Sequence, residues 1–316
     1  MIIKTDFNHF STIILAAGIS KRMHSTIPKV LYKILGKPMI QYVVEIAQGL
    51  NCEEIIVVAG KNLKEMKQVL GDKIKYAIQE IPRGTGDAAK KGIIFAQKPN
   101  LLILYGDVPL LNKTTVREMI INHYRQGADL SVLTCEVNNP VGYGRIVRNK
   151  SGKILKIVEH IDAHAEELKI KEINSGIYFG NRELIDEALN HVRTNNKQKE
   201  FYLTDIVHYL ISKKKKVVSF KIKNEEEILG VNTKSDLARV REIIKKRWFE
   251  ELMLRGVYIE DPNSTTIDVT VQIGYNVQIR PYTLIEGNTI IEDNAVVGPF
   301  VWIKDGKKKS LLYEDR

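Results

Sequence analysis

The chain has 316 residues, 44% of them hydrophobic and 27% charged, and its 48 lysines and arginines outnumber its 38 aspartates and glutamates, a net charge of +10. This length favours two domains over one, and the composition is that of an ordinary globular protein. Two cysteines cannot form a disulfide framework and no apolar run reaches membrane-spanning length. We therefore exclude a disulfide-rich secreted protein and a membrane-bound one, and expect a cytoplasmic location.

The densest basic runs predict a solvated surface rather than a nucleic-acid site. They cover residues 213–216 and 307–309, and neither contains the interleaved aromatic residues on which bases stack. We therefore expect small anionic ligands, and no nucleic acid, as partners of the positive charge.

Short apolar runs alternate with helical patterns through the first part of the chain. STIILAA, EEIIVVAG, KIKYAIQ and LLILYGD are typical of strands, whereas PMIQYVVEIAQGL and DAAKKGIIFAQ are typical of helices. The alternation predicts a mostly parallel sheet with helices on both faces, and such sheets bind ligands at the carboxyl ends of their strands. The loop after the first strand and Asp107 both fall at such ends.

The loop after the first strand has the composition of a phosphate site. In ILAAGISKRMHSTIPK, residues 14–29, small residues allow a nucleotide to approach the backbone, and Arg22 and Lys29 can neutralise its phosphates. The loop is neither a dinucleotide fingerprint nor a Walker loop, because GxGxxG and GxxxxGK[ST] are both absent. Taken alone, AAG after a strand is also compatible with a tight turn.

Two further fragments strengthen the nucleotide interpretation. QEIPRGTGDA, residues 79–88, combines Gln79 with a glycine loop, and LILYGDVPL carries Asp107 directly after a buried strand. A carboxylate there is costly unless it is paired or metal-bound, although a helix or turn cap is the simpler alternative.

One amphipathic helix is predicted from Ser235, and Gly256 is positioned to end it. Asn232 precedes this helix and could cap it, but Ser235 or Asp236 can also do so. The apolar positions that define the helix are Leu237, Val240, Ile244, Trp248 and Leu252.

A six-residue repeat follows the helix and predicts a parallel β-helix in which each hexad forms one side of a coil. Because each coil stacks only on its neighbours, a short stack with an unpaired last coil is marginal alone, and we expect an oligomer. Branched apolar residues recur at Ile267, Ile273, Ile279, Ile285, Ile291, Val297 and Ile303, and small or β-branched residues at Val271, Val277, Thr283, Thr289, Ala295 and Val301.

Eight fragments resemble, in order, the motifs of the bacterial N-acetylglucosamine-1-phosphate uridylyltransferases, which are bifunctional and also transfer acetyl groups. They are LAAGISKRMHSTIPKVLYKILGKPM, QEIPRGTGDA, LYGDVPLL, VGYGRIVR, IVEHIDA, EINSGIY, FYLTDIV and GVNTKSDL. The resemblance implies an α/β fold: a Rossmann-like nucleotidyltransferase domain with a mostly parallel sheet, then a short left-handed parallel β-helix. We divide the chain into residues 1–233, a connecting helix at 234–256, and a truncated β-helix at 257–316.

The resemblance also implies the roles of individual residues. The uridine nucleotide would contact Leu15, Ala16, Ala17, Gly18, Lys29, Gln79, Gly84, Thr85, Tyr105, Gly106 and Asp107, with Arg22 and Lys29 as the catalytic residues. The amino sugar would contact Gly144, Glu159, Asn174 and Asn232, and Mg²⁺ would bind Asp107 and Asn232. By position alone, the surface-carboxylate interpretation of Glu159 is favoured over sugar binding, and Asn174 could equally form a turn.

The implied reaction is attack of N-acetylglucosamine 1-phosphate on the α-phosphorus of UTP, with Mg²⁺ as cofactor, in a trimer held by the β-helix. Its product feeds peptidoglycan and lipopolysaccharide synthesis. Asp87 stands in place of the histidine of the family's GTGHA motif, and Ile161 in place of a lysine. No histidine follows His208 and the hexads stop near Ile303, so we expect no acetyltransferase activity. The alternatives are another sugar phosphate or base, or a catalytically idle scaffold subunit.

Overall fold

The computed structural model describes residues 9–18, 21–52 and 54–310. The chain divides into two compact units, one formed by residues 1–30 and 40–230 and the other by residues 31–39 and 231–316. Each unit has a separate cluster of buried hydrophobic side chains.

The first unit contains a nine-stranded sheet in which seven strands follow the order β11-β7-β10-β6-β1-β4-β5, and β8 pairs with both β10 and β9. The four apolar runs taken as strands in the sequence all lie in it, which confirms those predictions. Its strands are β1 (Phe10–Leu15), β4 (Glu54–Ala59), β5 (Lys75–Ile78), β6 (Asn100–Tyr105), β7 (Leu130–Glu136), β8 (Arg145–Arg148), β9 (Ile154–Val158), β10 (Glu172–Asn181) and β11 (Val217–Ile222).

The sheet is parallel at β1, β4, β5 and β6 and antiparallel where β10 enters between β6 and β7. All six side chains of β1 and all six of β4 are buried, as expected for central parallel strands. The helices of this region are α1 (Met39–Gly49), α2 (Leu63–Leu70), α3 (Thr85–Ile93), α4 (Lys113–Gln126), α5 (Ala165–Leu168), α6 (Arg182–His191) and α7 (Asp205–Ser212).

The second unit opens with helix α8 (Lys234–Leu254), which confirms the predicted helix, and Gly256 follows it at φ +91°. The cap is Thr233, not Ser235: its side chain accepts a hydrogen bond from the Asp236 N–H. The Asp236 carboxylate accepts in return from the Thr233 N–H, at 2.8 Å. Threonine followed three residues later by an acidic residue forms a capping box, and this spacing fixes the start of α8.

Short parallel strands follow α8 in three stacks, as the hexad phase predicts. Ile267 pairs with Ile285, and Ile285 with Ile303, so one coil takes 18 residues, or three hexads. The strands are β12 (Tyr258–Ile259), β13 (Thr266–Ile267), β14 (Gln272–Ile273), β15 (Gln278–Ile279), β16 (Thr283–Glu286), β17 (Ile290–Ile291), β18 (Val296–Val297) and β19 (Val301–Lys304).

Two features of this unit differ from the expectation of a plain coil with an exposed last turn. Strand β20 (Lys307–Ser310) folds back antiparallel onto β19, so the backbone of β19 is paired on that side. The hairpin of β2 (Lys33–Ile34) and β3 (Lys37–Pro38) also belongs to the unit, since the Leu35 carbonyl accepts from the Val269 N–H at 3.0 Å. Among the described residues, none of the helices has the length and apolarity that a membrane span requires.

Candidate active site

Two neighbouring strands of the first unit, β1 and β6, end side by side in small residues. The Gly106 N–H donates to the Leu15 carbonyl at 2.9 Å, and the Ala16 N–H donates to the Val58 carbonyl at the same distance. A Cβ on Gly106 would lie 3.3 Å from the Ala16 Cβ, so both residues have to be small for the two chain segments to pack. This spacing fixes the point at which the loop after β1 leaves the sheet.

Lys29 and Asp107 form an ion pair at this edge of the sheet, through Nζ and Oδ2. Lys29 begins a short 3-10 helix after the loop, and Asp107 follows β6. Each side chain is only 15% exposed, so the charges are partly shielded from water and their attraction is stronger than that of a surface pair. The ion pair with Lys29 therefore stabilises the Asp107 carboxylate, which would be costly directly after a buried strand if it had no partner.

The other basic residue of the loop, Arg22, lies in a 3-10 turn (Lys21–Met23) and is exposed. Met23 is fully buried and anchors that turn, while Gly18 has open space around it. Ile19 and Ser20, which complete the loop motif, lie outside the described residues. The geometry therefore leaves the Arg22 guanidinium accessible to a ligand.

The loop before α3 contains Gly84 and Thr85 and is held by a distant chain segment. The Phe201 N–H donates to the Arg83 carbonyl, and the Phe201 carbonyl accepts from the Gly86 N–H, both at 2.8 Å. Gly84 has φ +110°, and a Cβ there would lie 2.4 Å from the Phe201 oxygen, so only glycine fits. The Thr85 hydroxyl accepts from the Leu203 N–H at 3.1 Å, which ties α3 to the same segment.

Gln79 follows β5 and is only 4% exposed, and two hydrogen bonds fix the orientation of its side-chain amide. Its Nε2 donates to the Gly84 carbonyl at 3.0 Å and to Asp87 Oδ2 at 2.7 Å. The Gln79 side chain thereby connects the Gly84 loop with Asp87 through two hydrogen bonds.

Tyr105, the last residue of β6, lies against Gly176 of β10. A Cβ on Gly176, which has φ +82°, would come within 2.6 Å of the Tyr105 ring, so the glycine makes room for the aromatic side chain. Burial raises the pKa of Tyr105 strongly, with the nearby charge of Glu159 adding to the effect and the Thr85 side chain opposing it. Tyr105 therefore stays neutral and lies near both the Gly84 loop and Glu159.

Gly144, Glu159 and Asn174 lie together at the junction of β8, β9 and β10. The Asn174 N–H donates to the Gly144 carbonyl at 2.9 Å, and a Cβ on Gly144 would lie 3.5 Å from Glu159 Oε2. Burial raises the pKa of Glu159 above its ordinary value, although the Thr204 hydroxyl, which donates to Oε1 at 3.0 Å, partly offsets it. Glu159 is thus a partly buried carboxylate and not the solvated surface residue of the alternative interpretation.

Asn174 also shapes its own strand. Its Oδ1 accepts from the Gly176 N–H at 3.1 Å and its Nδ2 donates to the Tyr178 hydroxyl at 2.8 Å, where the pairing of β10 with β7 changes register. The turn-forming interpretation thus describes its observed hydrogen bonds, and its contact with a sugar stays a prediction.

Asn232 lies in the second unit, directly before the α8 capping box. Its N–H donates to Asp236 Oδ2 at 3.0 Å. Its predicted roles as metal ligand and sugar contact stay predictions. Within the described ranges, no group of three or more His, Cys, Asp or Glu side chains is arranged to hold a metal ion.

The structure thus brings most of the predicted residues of the first unit into two clusters, one along β1, β5 and β6 and the other around Glu159. Sequence reasoning gave no role to Phe201 and Thr204, which hold the Gly84 loop and Glu159 respectively. Both belong to the quoted fragment FYLTDIV, which was the available signal. In the same fragment, burial raises the pKa of Asp205 to about 6, partly opposed by His208.

Two family models match separate parts of the chain. Residues 12–168 match the MobA-like NTP transferase domain, and residues 270–305 match the bacterial transferase hexapeptide, six repeats. A solved structure titled as a putative glucose-1-phosphate thymidylyltransferase from Bacillus anthracis superposes with a TM-score of 0.61 at 20% identity, covering 74% of this chain and 94% of that one. At that identity the likeness shows the fold alone. The fold and the two family matches define a nucleotidyltransferase that carries hexapeptide repeats.

Several curated proteins are similar to most of the chain. The chain is 41% identical over 289 residues to the bifunctional protein GlmU of Caldanaerobacter subterraneus subsp. tengcongensis, and 44% identical over 294 residues to that of Fervidobacterium nodosum. These alignments cover 91% and 93% of the chain. This similarity along most of the chain confirms the predicted resemblance to the bifunctional uridylyltransferases, and the mostly parallel sheet followed by stacked parallel strands confirms the α/β class. It spans 63% of the length of each of these two relatives.

Proposed function

We propose that the first unit transfers a uridylyl group from UTP to N-acetylglucosamine 1-phosphate, releasing pyrophosphate and forming UDP-N-acetylglucosamine. The observation that carries the proposal is the Lys29–Asp107 ion pair, beside the small residues that end β1 and at the carboxyl edge of a parallel sheet. The similarity to the GlmU relatives supports this choice of nucleotide and sugar within the nucleotidyltransferase class.

In this proposal the base lies at Gln79 and the Gly84 loop, and the triphosphate follows the backbone from Leu15 to Gly18. Arg22 and Lys29 neutralise the phosphates and stabilise the charge that develops on the departing pyrophosphate. The reaction needs no side-chain nucleophile, because the sugar phosphate oxygen itself attacks the α-phosphorus in line. Each prearranged cationic donor contributes about 3 kcal/mol to stabilisation of the transition state.

The residues present fit a divalent cation. Lys29 binds Asp107 through Oδ2, so Oδ1 can still meet a metal ion, and magnesium needs only one or two protein oxygens beside phosphates and water. We propose Asp107 as its protein ligand in the first unit, and Asn232, which lies in the second unit, stays a predicted ligand. When bound, the ion screens the two anionic substrates from each other and polarises the phosphoryl oxygens.

We propose that the sugar contacts the cluster of Gly144, Glu159 and Asn174. Gly144 leaves space beside Glu159 Oε2, and the Thr204 hydroxyl holds the other carboxylate oxygen, which fixes the orientation of the group. A carboxylate oriented in this way can accept hydrogen bonds from sugar hydroxyl or amide groups.

The second unit supports a homo-oligomer, which we propose to be a trimer. Its surface exposes several large apolar side chains, with Tyr275 69% exposed and the rings of Tyr282 and Phe300 stacked 4.8 Å apart. Contiguous exposed apolar groups are typical of interfaces, and the adjacent rings of Tyr282 and Phe300 are such a group. Sedimentation at micromolar concentration tests this proposal, and a monomer alone would contradict it.

A pyrophosphate-release assay tests the reaction. We expect magnesium-dependent release with UTP and N-acetylglucosamine 1-phosphate, exceeding that with other nucleotides and sugar phosphates in the same panel. Preference for a different pair would reassign the substrate, and no release with any pair would favour an idle scaffold. A cytoplasmic location and the lack of acetyl transfer by this 316-residue polypeptide remain predictions, the latter checked by thiol release from acetyl-CoA.

A further inference from the structure

Asp87 stands where the related motif has a histidine, and it contacts Gln79, whose side chain the proposed function places at the base. It lies in the first turn of α3, and its Oδ2 accepts from Gln79 Nε2 at 2.7 Å. The same Nε2 donates to the Gly84 carbonyl at 3.0 Å. Both protons of the Gln79 amide are therefore directed at acceptors of the protein itself.

This arrangement determines which end of the amide is available to a ligand. A carboxylate and a carbonyl only accept hydrogen bonds, so a flipped Gln79 would direct its oxygen at two other oxygens. The flip would also break the two hydrogen bonds that the Gly84 carbonyl and Asp87 now accept, which is costly for a side chain only 4% exposed. Among the hydrogen bonds of the described residues, none is donated to Gln79 Oε1.

A ligand can reach this part of the molecule. Gln79 and Asp87 line a cavity of about 350 Å³, together with Glu80, Arg83 and Lys91 among others. The amide and the carboxylate thus border space that is open to small molecules, and they are not enclosed in the core.

We propose that Asp87 is a specificity-determining positioning residue, which locks the Gln79 amide so that Oε1 faces the base as a hydrogen-bond acceptor. This inference rests on the proposed function and deepens it. Uracil carries an N3–H donor that such an acceptor binds, whereas cytosine has an unprotonated N3 that repels it. A site built to hydrogen-bond one base strongly rejects an analogue of the opposite polarity.

Asp87→Asn tests the lock with little change in shape. The asparagine amide can donate to the oxygen of a flipped Gln79, so both orientations become accessible, although the Gly84 carbonyl still opposes the flip. We expect the ratio of kcat/KM for UTP to that for CTP to fall at least about tenfold, through lost UTP use and gained CTP use. The ratio of their Kd values, measured by calorimetry without sugar phosphate, should fall in parallel.

Glu80→Gln is the matched control, because it removes the same charge from the same cavity at an exposed residue next to Gln79. Its UTP to CTP ratio should stay within about twofold of the wild-type value. Both ratios are independent of the fraction of folded protein, so partial misfolding of a variant cannot produce the result.

The outcomes separate this inference from the reaction on which it rests. A wild-type chain that prefers UTP, with an Asp87→Asn ratio equal to that of Glu80→Gln, overturns the role of Asp87 and leaves uridylyl transfer standing. An Asp87→Asn variant that loses UTP use without a changed ratio also overturns it, since Asp87 would then only support the loop. A wild-type chain that neither binds nor turns over UTP overturns the proposed function and this inference together.

Discussion

Replacing Gly84 by alanine tests whether the nucleotide loop depends on the segment around Phe201. The backbone at Gly84 has φ +110° and ψ 173°, a region that alanine adopts at a cost of about 1–3 kcal/mol. The new Cβ would also lie 2.4 Å from the Phe201 oxygen and 2.9 Å from its nitrogen. Because both of those atoms are backbone, relief of the clash requires the two chain segments to separate.

Separation breaks the two hydrogen bonds of Phe201, with the Arg83 carbonyl and the Gly86 N–H. At about 1 kcal/mol each, their loss adds about 2 kcal/mol to the backbone strain, so Gly84→Ala should lower the free energy of unfolding by about 3–5 kcal/mol. The displaced loop should also raise the KM for UTP at least about tenfold.

Gly71→Ala is the matched control for Gly84→Ala. Gly71 has φ +75° and ψ −175°, a comparably strained conformation, but a Cβ there meets nothing within 4 Å. It should therefore lose only the strain energy of about 1–3 kcal/mol and keep its kinetic constants. Urea unfolding followed by circular dichroism gives both values. Equal losses in the two variants, or an unchanged UTP KM in Gly84→Ala, would refute the coupling.

Three further predictions concern the charged groups. Lys29→Ala should lower kcat at least about 100-fold, while the exposed Lys64→Ala should not, and wild-type turnover in the former would refute its role. Glu159→Gln should raise the KM for the sugar phosphate about tenfold without changing that for UTP; an unchanged sugar KM would contradict the assignment. The raised pKa of Asp205, about 6 against 3.8, means that the folded state binds the proton more tightly, so wild-type stability should fall as pH rises through that interval. In urea titrations at a series of pH values, Asp205→Asn should reduce this pH-dependent loss of unfolding free energy by up to about 3 kcal/mol. If the variant shows the same pH dependence as the wild type, the raised pKa of Asp205 is refuted.

Local sequence patterns predicted much of the architecture because they act at short range. The alternation of apolar runs and helical patterns indicated β1, β4, β5 and β6, and a six-residue phase fixes an 18-residue coil because three hexads close one turn. The end of α8 follows likewise from Gly256, whereas its cap is Thr233 and none of the three residues proposed from the sequence, Asn232, Ser235 and Asp236.

Local patterns could not predict the contacts between segments that are far apart in the sequence. The hydrogen bond from Leu203 to Thr85 joins residues 118 positions apart, and no local pattern encodes it. Strand β10 is buried along most of its length, so nothing in its composition distinguishes an antiparallel neighbour from a parallel one. The pairing of Lys29 with Asp107 is similar: the sequence indicated that the Asp107 carboxylate needed a cation, but only the fold showed that Lys29 is its partner.

The most direct test of the central claim is a crystal structure of the chain with Mg²⁺, N-acetylglucosamine 1-phosphate and a UTP analogue whose α,β-bridge is a methylene group. We predict electron density for the triphosphate along Leu15 to Gly18, with Lys29 on a phosphate oxygen and a metal ion on Asp107. A nucleotide bound elsewhere, with Lys29 and Asp107 contacting neither phosphate nor metal, would contradict it.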